Sequence, residues 1–250
     1  MECVFGLVGD GFALVAADSS AVNSILVHKS NEDKIMILDS HKLLGASGEA
    51  GDRVQFTEYI QKNVHLYEFR NGIPLSTAAA ANFTRGELAQ ALRKDMDNHL
   101  ERSELKSLDL TPISVGIITS KFVVTTILAP SVGTAQPKGC IGNGRDSSIA
   151  GYDKDIGPSL YYIDYIATLH KVDKGAFGYG SFFSLSMMDR HYHSGMSLKE
   201  AVDLVDKCIV EIRTRLVVSP PNFVIKIVDK DGAKEYAWRE TIKDAEEPTA

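Results

Sequence analysis

Two short apolar runs near the start of the chain, Cys3–Val8 and Phe12–Ala17, flank the turn Gly9-Asp10-Gly11. Runs of this length around a Gly-Asp-Gly turn specify a β-hairpin, because glycine and aspartate adopt the backbone conformations that reverse a chain. The second run ends on an acid, Asp18. With a hairpin this early, no signal peptide or pro-segment is expected ahead of it. The chemical question is therefore what stands before the first strand, and whether Asp18 faces it.

Further strands are expected at Ile25–Val27, Lys34–Asp39 and Lys42–Ser47, the last two joined by the turn Asp39-Ser-His. A helix follows from about Glu49. Phe56, Ile60, Val64 and Tyr67 fall at i, i+4, i+8 and i+11, and Asn71-Gly72 with Pro74 closes it. Ser76 is a good N-cap for a second helix ending near Arg93. The charged stretch Asp95–Leu108 fits helix or loop, and Gly133–Ser148 has the composition of a loop or a disordered segment. Order returns at Ile149–Asp153, with strands at Ser159–Tyr165 and Thr168–Val172. Gly175–Gly180 leads into a helix, Ser181 to about Arg190, carrying Phe183, Leu185 and Met188. Ser197-Leu-Lys-Glu200 is a capping box opening a last helix, whose stripe is Leu198, Ala201, Val202, Val205, Ile209, Ile212 and Leu216. Pro220-Pro221 ends it. Asn222–Asp229 and Lys234–Trp238 form a final hairpin, and Asp244–Ala250 an acidic tail.

The order is strands, two helices, strands, two helices, strands. Each helix has one apolar face, so the expected fold is α+β, a four-layer αββα sandwich of two antiparallel sheets flanked by helix pairs. At 44% hydrophobic and 24% charged residues, the 250-residue chain can bury a sizeable core. Its net charge of −6 argues against nucleic acid or an anionic membrane as partner. The stretch Ile113–Pro130 approaches membrane-span length, but Lys121 sits near its centre and its β-branched residues suit strands. Cys3, Cys140 and Cys208 are odd in number and widely spaced, which points to a reducing compartment without a disulfide framework or zinc site. Cys208 lies on the apolar face of the last helix and reads as core. His191 and His193 flank Tyr192, but no HExxH pattern occurs, and no metal or cofactor is expected.

The segments Leu14-Val-Ala-Ala-Asp-Ser-Ser-Ala21, Asp33-Lys-Ile35, Gly48-Glu-Ala-Gly-Asp52 and Phe177-Gly-Tyr-Gly-Ser181 resemble the proteasome beta subunits, which have the N-terminal-nucleophile hydrolase fold. Val54–Val64, Ala79–Arg85, Ala150–Asp153 and Leu160–Tyr165 narrow the resemblance to the non-catalytic type-2 branch at the fourth ring position. It covers residues 1–94 and 149 to about 240. In such hydrolases the side chain of the first residue attacks the amide and its own amine is the base. The resemblance implies that Glu2 occupies the position of the catalytic threonine, and a carboxylate cannot act as a hydroxyl nucleophile. Asp18 and Lys34 match the acid and lysine around the nucleophile, and Gly48 the glycine whose N–H is the oxyanion donor. Tyr179 stands where catalytic members have a serine, and Val218-Ser-Pro-Pro221 replaces an Asp followed by Ser-Gly-Gly. Glu2, Asp18, Lys34, Gly48 and Tyr179 are thus expected to be vestigial positions, with no catalytic residue in this chain and Asp18–Lys34 bracing the hairpin.

The resemblance further implies a 20S core particle of stacked alpha and beta rings, in cytoplasm and nucleus, degrading proteins with ATP- and ubiquitin-dependence. Its partners would be other beta subunits within the ring and across the beta–beta interface, alpha-ring subunits, and polypeptide in the chamber. Two other functions are compatible with these residues: an active amidohydrolase using Cys3 after trimming, and a free-standing binding domain of the same fold. Residues 1–240 are expected to form one domain and 241–250 a tail. The stretch of about 95–148 is atypical, because the family runs almost directly from the second helix into the strand ending Ala-Gly-Tyr-Asp. Either it is a looped insertion in which Ile113–Ile118 supplies that strand, or it reflects an altered splice or a faulty gene model.

Overall fold

The computed structural model describes residues 2–23, 26–107 and 146–240. Its strands are β1 Cys3–Gly9, β2 Phe12–Asp18, β3 Ala21–Asn23, β4 Leu26–Lys29, β5 Ile35–Asp39, β6 Lys42–Ala46, β7 Ser147–Asp153, β8 Gly157–Ile163, β9 Leu169–Val172, β10 Lys174–Gly178, β11 Asn222–Asp229 and β12 Gly232–Glu240. The helices are α1 Ala50–Asn71, α2 Thr77–Ser107, α3 Ser181–His191 and α4 Leu198–Arg215. The chain divides into two compact units, Met1–Gln90 with Asn143–Ala250, and Ala91–Gly142. Of the second unit, only the C-terminal stretch of α2 is described. Apart from the extent of α2, everything below concerns the first unit.

Two five-stranded antiparallel sheets, ordered β10-β1-β2-β11-β12 and β5-β6-β7-β8-β9, stack face to face. The hairpin at residues 3–18 lies inside its sheet, and both of its faces are buried. Cys3, Phe5, Leu7, Phe12, Leu14 and Ala16 face a core shared with α3 and α4, whereas Val4, Ala13, Val15 and Ala17 face the second sheet. A strand buried on both faces needs apolar side chains at every position, which accounts for unbroken runs where a half-exposed strand would alternate. β11 repeats the pattern, with Phe223, Ile225 and Ile227 toward the helices and Val224 and Val228 toward the second sheet. The sandwich is therefore the expected αββα arrangement.

α1 lies against β5 and β6 and buries Phe56, Ile60 and Val64. Tyr67, expected on the same stripe, is instead exposed. A 22-residue helix is about 33 Å long, twice a five-residue strand, so its last turns overhang the sheet. The capping box of α4 forms as expected: Ser197 Oγ accepts the Glu200 N–H, and Glu200 Oε2 accepts the Ser197 N–H. Ala201, Val202, Val205, Ile209 and Ile212 are buried, joined by Leu204 and Cys208. Ser76 caps α2 by accepting the Ala79 N–H, and Asp153 at the end of β7 also accepts the Thr77 N–H.

Four expectations need correction. α2 runs to Ser107 and not to Arg93, since residues 94–107 are rich in strong helix formers and lack glycine and proline. β7 begins at Ser147, inside the stretch assigned to a loop; its start lacks apolar residues but pairs with Ala46 on one side and Ile163 on the other. Gly175–Gly178 is the end of a strand, β10, recruited by the open edge of β1, so tertiary pairing overrode the local glycine signal. Before β5, two short strands pair where one was expected. Ile25, Ile113–Pro130 and the tail Asp244–Ala250 lie outside the described residues.

The edge strand β5 is shielded by side chains. Lys226 Nζ donates to the Ile35 carbonyl at 2.7 Å and pairs with Asp33, and Gln61 Nε2 donates to the Ile37 carbonyl at 2.6 Å. Both acceptors are thereby closed to an incoming strand.

Ser148 Oγ is buried between the sheets without a hydrogen-bond partner, in a space over Gly45 also bordered by Val4 and Val15. An unpaired buried hydroxyl costs roughly 1–3 kcal/mol. Ser148→Ala is expected to stabilise the chain by about 1 kcal/mol, read as a higher urea midpoint at unchanged slope.

Candidate functional site

Asp18 ends β2 with its side chain fully buried. Its Oδ1 accepts the Cys3 N–H at 2.7 Å; its Oδ2 accepts the Ser20 N–H at 3.1 Å and the Lys34 ammonium at 2.9 Å. Lys34 enters just before β5, also buried. The carboxylate thus joins the start of β1, the end of β2 and the approach to the second sheet. The i to i+2 bond to Ser20 is an Asx turn, for which an aspartate ending a strand before two serines was the sequence signal.

Glu2 precedes β1 and reaches the same place from outside. Its Oε2 accepts the Gly48 N–H at 2.7 Å, and its Oε1 lies 3.9 Å from Lys34 Nζ. Gly48 has φ 125°, a conformation side chains rarely allow, in the turn between β6 and α1. The backbone of Glu2 is held by β10: a methyl added at Gly178, itself at φ 80°, would overlap the Glu2 carbonyl. Four of the five positions singled out from sequence, Glu2, Asp18, Lys34 and Gly48, therefore converge. The fifth does not join them, since Tyr179 is 61% exposed.

Four nearby residues, Arg53, Asp146, Ser47 and Tyr162, carry no local sequence signal that marks them as part of the site. Arg53 is buried in α1, pairs with Glu32 and adds an attractive charge on Glu2. Asp146 and Ser47 exchange backbone and hydroxyl hydrogen bonds, and Tyr162 donates to the Asp146 carboxylate. Burial raises the Asp146 carboxyl, with the Tyr162 bond pulling it down. No local pattern pointed to Asp146, because it comes from a stretch with loop composition.

Burial also raises the Glu2 carboxyl above its usual range; Lys34 and the Gly48 N–H oppose the shift, Asp18 adds to it and Arg53 reduces it. A carboxyl raised on folding holds its proton more tightly in the native chain, so its contribution weakens stability as pH rises from the unfolded value through the folded one. Glu2→Gln removes that titration. The stability of the original chain relative to the Gln variant is expected to fall across this window, measured by urea unfolding at a series of pH values.

Cys3, the alternative nucleophile, faces the wrong way. Its side chain belongs to the core beside α3 and α4, packed against Gly180, and not to the surroundings of Gly48. Burial, then Asp18, pushes the thiol up to about 12, which leaves about one thiolate in ten thousand at pH 8. Cys208 is likewise buried and pushed up to about 12. Neither is expected to react with iodoacetamide at pH 8 until the chain unfolds, as peptide mass spectrometry would show.

The remaining chemistry is that of a braced ion-pair network. Asp18→Ala would strand the buried Lys34 ammonium and is expected to cost about 3–5 kcal/mol in urea unfolding. Among the described residues, no group of three or more His, Cys, Asp or Glu side chains is placed to hold a metal ion. His191 ends α3, and His193 follows it in a loop. No helix among the described residues is long and apolar enough to cross a membrane.

The family model described as Proteasome subunit matches residues 2–100 and 142–228. The chain is 65% identical over 244 residues to proteasome subunit beta type-2-A of Arabidopsis thaliana, covering 98% of this chain and 97% of that one. It is 60% identical over 239 residues to proteasome subunit beta type-2 of Oryza sativa subsp. japonica, covering 96% and 91%. It is 31% identical over 236 residues to proteasome subunit beta type-4 of Saccharomyces cerevisiae, covering 94% and 96%. With the stacked sheets, the flanking helices and the family match in agreement, the chain belongs to the proteasome beta subunit family.

Proposed function

We propose that this chain is a non-catalytic structural subunit of the beta ring of a 20S proteasome core particle. It supplies wall, ring contacts and chamber surface, while its neighbours hydrolyse peptide bonds. One observation carries the non-catalytic reading: the place bounded by Asp18, Lys34 and the Gly48 N–H is filled by the Glu2 carboxylate, hydrogen-bonded at 2.7 Å. A carboxylate there offers no hydroxyl to be deprotonated, and it occupies the donor that an oxyanion would need. Glu2, Asp18, Lys34, Gly48 and Tyr179 are on this reading vestigial positions, and the Asp18–Lys34 pair braces the hairpin.

The partners are other beta subunits in the ring and across the beta–beta interface, alpha-ring subunits, and the polypeptide substrate in the chamber. The setting is ATP- and ubiquitin-dependent degradation in cytoplasm and nucleus. Exposed large apolar side chains support an assembled state: Phe69 is 88% exposed, Phe182 76% and Val217 98%. Residues 1–240 form one subunit domain, interrupted at about 95–148 by an insertion or by the product of an altered splice or faulty gene model. The break in the family match between residues 100 and 142 supports that boundary.

The test is purification of the native complex through a tag on this chain, followed by intact and peptide mass spectrometry. Expected are co-purifying alpha and beta subunits, a start at Met1 or Glu2, acetylated or not, and no labelling by electrophiles that modify N-terminal nucleophiles. A mature start at Cys3 with thiol labelling would overturn the non-catalytic reading. A chain that stays monomeric would overturn the subunit reading and favour a free-standing domain. Peptides from 95–148 would establish a real insertion; their consistent absence would mark a faulty gene model.

A further inference from the structure

The contacts of Glu2 define more than the lack of a nucleophile. Its side chain is 22% exposed, whereas those of Lys34 and Asp18 behind it are at 1% and 0%. The carboxylate closes the mouth of an otherwise buried charged site. One oxygen takes the Gly48 N–H at 2.7 Å, a charge-assisted bond, and the other stands 3.9 Å from an ammonium. That ammonium gives one of its three N–H donors to Asp18. Without the Glu2 carboxylate, the Gly48 N–H would lose its acceptor and the positive charge of Lys34 would face an opening the size of a carboxylate, with Arg53 adding to the same field.

We propose that the Gly48 N–H and Lys34 Nζ form a carboxylate-binding site that the chain fills with its own Glu2, and that this keeps the carboxyl ends of peptides out of it. The ligand class is a monocarboxylate on a short stem, the group that the Glu2 side chain itself presents. The site stands on the contacts of Glu2 alone, whereas the exclusion of peptide ends rests on the subunit reading above.

The test uses the full-length chain, ¹⁵N-labelled at glycine, and follows the Gly48 amide resonance during titration with acetate or N-acetylglycine, with acetamide as the uncharged control. In Glu2→Ala the resonance is expected to start upfield of the original chain. Both carboxylates should return it downfield, saturating in the millimolar range, while acetamide leaves it in place. A response to acetate but not to N-acetylglycine would confine the site to small free anions and overturn the exclusion of peptide ends. The unaltered chain, with its site already filled, should respond to none of the three. Glu2→Gln preserves the shape and is the second variant: its amide still fills the site as a neutral acceptor, so the resonance should lie between the other two and ignore acetate. The proposal is overturned if Glu2→Ala leaves the Gly48 resonance unmoved, if acetate gives no saturable shift in that variant, or if the unaltered or Gln chain responds to acetate as the Ala chain does.

Discussion

The two-sided burial of the hairpin β1–β2 is the constraint around which the other layers are placed. Its residues alternate between the helix-facing core and the inter-sheet core without an exposed position between Phe12 and Asp18. Such a ribbon cannot stand at the surface, so a helix pair must cover one face and a second sheet the other. Burying each Val, Leu or Phe side chain yields roughly 1.5–3 kcal/mol, so every strand position contributes to holding the layers together. β11 joins β2 under the same rule, with one exception. Lys226 points toward the second sheet and is accommodated because its ammonium pairs with Asp33 and the Ile35 carbonyl.

At the end of the hairpin the apolar logic gives way to a polar one. Asp18 lies where β2 leaves the core, and its two oxygens satisfy two backbone N–H groups and one ammonium. Removing one partner would leave a buried charge uncompensated, so the network holds the strand ends in place whether or not chemistry takes place beside it. The network therefore keeps Asp18, Lys34 and the Gly48 N–H together around the Glu2 carboxylate on structural grounds alone. The carboxylate is itself a good occupant of such a site: it accepts the Gly48 N–H and feels the Lys34 charge, at the cost of partial burial that raises its own pKa.

Much of this was legible in the residues. The Gly-Asp-Gly turn, the Ser197–Glu200 capping box and the stripe from Ala201 to Ile212 are local patterns, and each appears where local physics puts it. The convergence of Glu2, Asp18, Lys34 and Gly48 was legible only through family resemblance, since their separations along the chain carry no period. β10 is not legible locally, because Gly175 and Gly178 look like turn residues; it is a strand because β1 has an open edge for it. The start of β7 is not legible either, because Ser147 and Ser148 carry no apolar signal, and their hydroxyls are buried without hydrogen-bond partners.

The sequence by itself determined the layered α+β class and the helix caps, because periodicity and capping are properties of neighbouring residues. Only the tertiary structure decided that Glu2 bonds to the Gly48 N–H, that Cys3 faces the helical core and that Tyr179 stands apart from the other four positions. Those outcomes depend on which strand edges pair and which way each side chain points once both sheets are stacked. Such long-range geometry leaves no trace in local spacing.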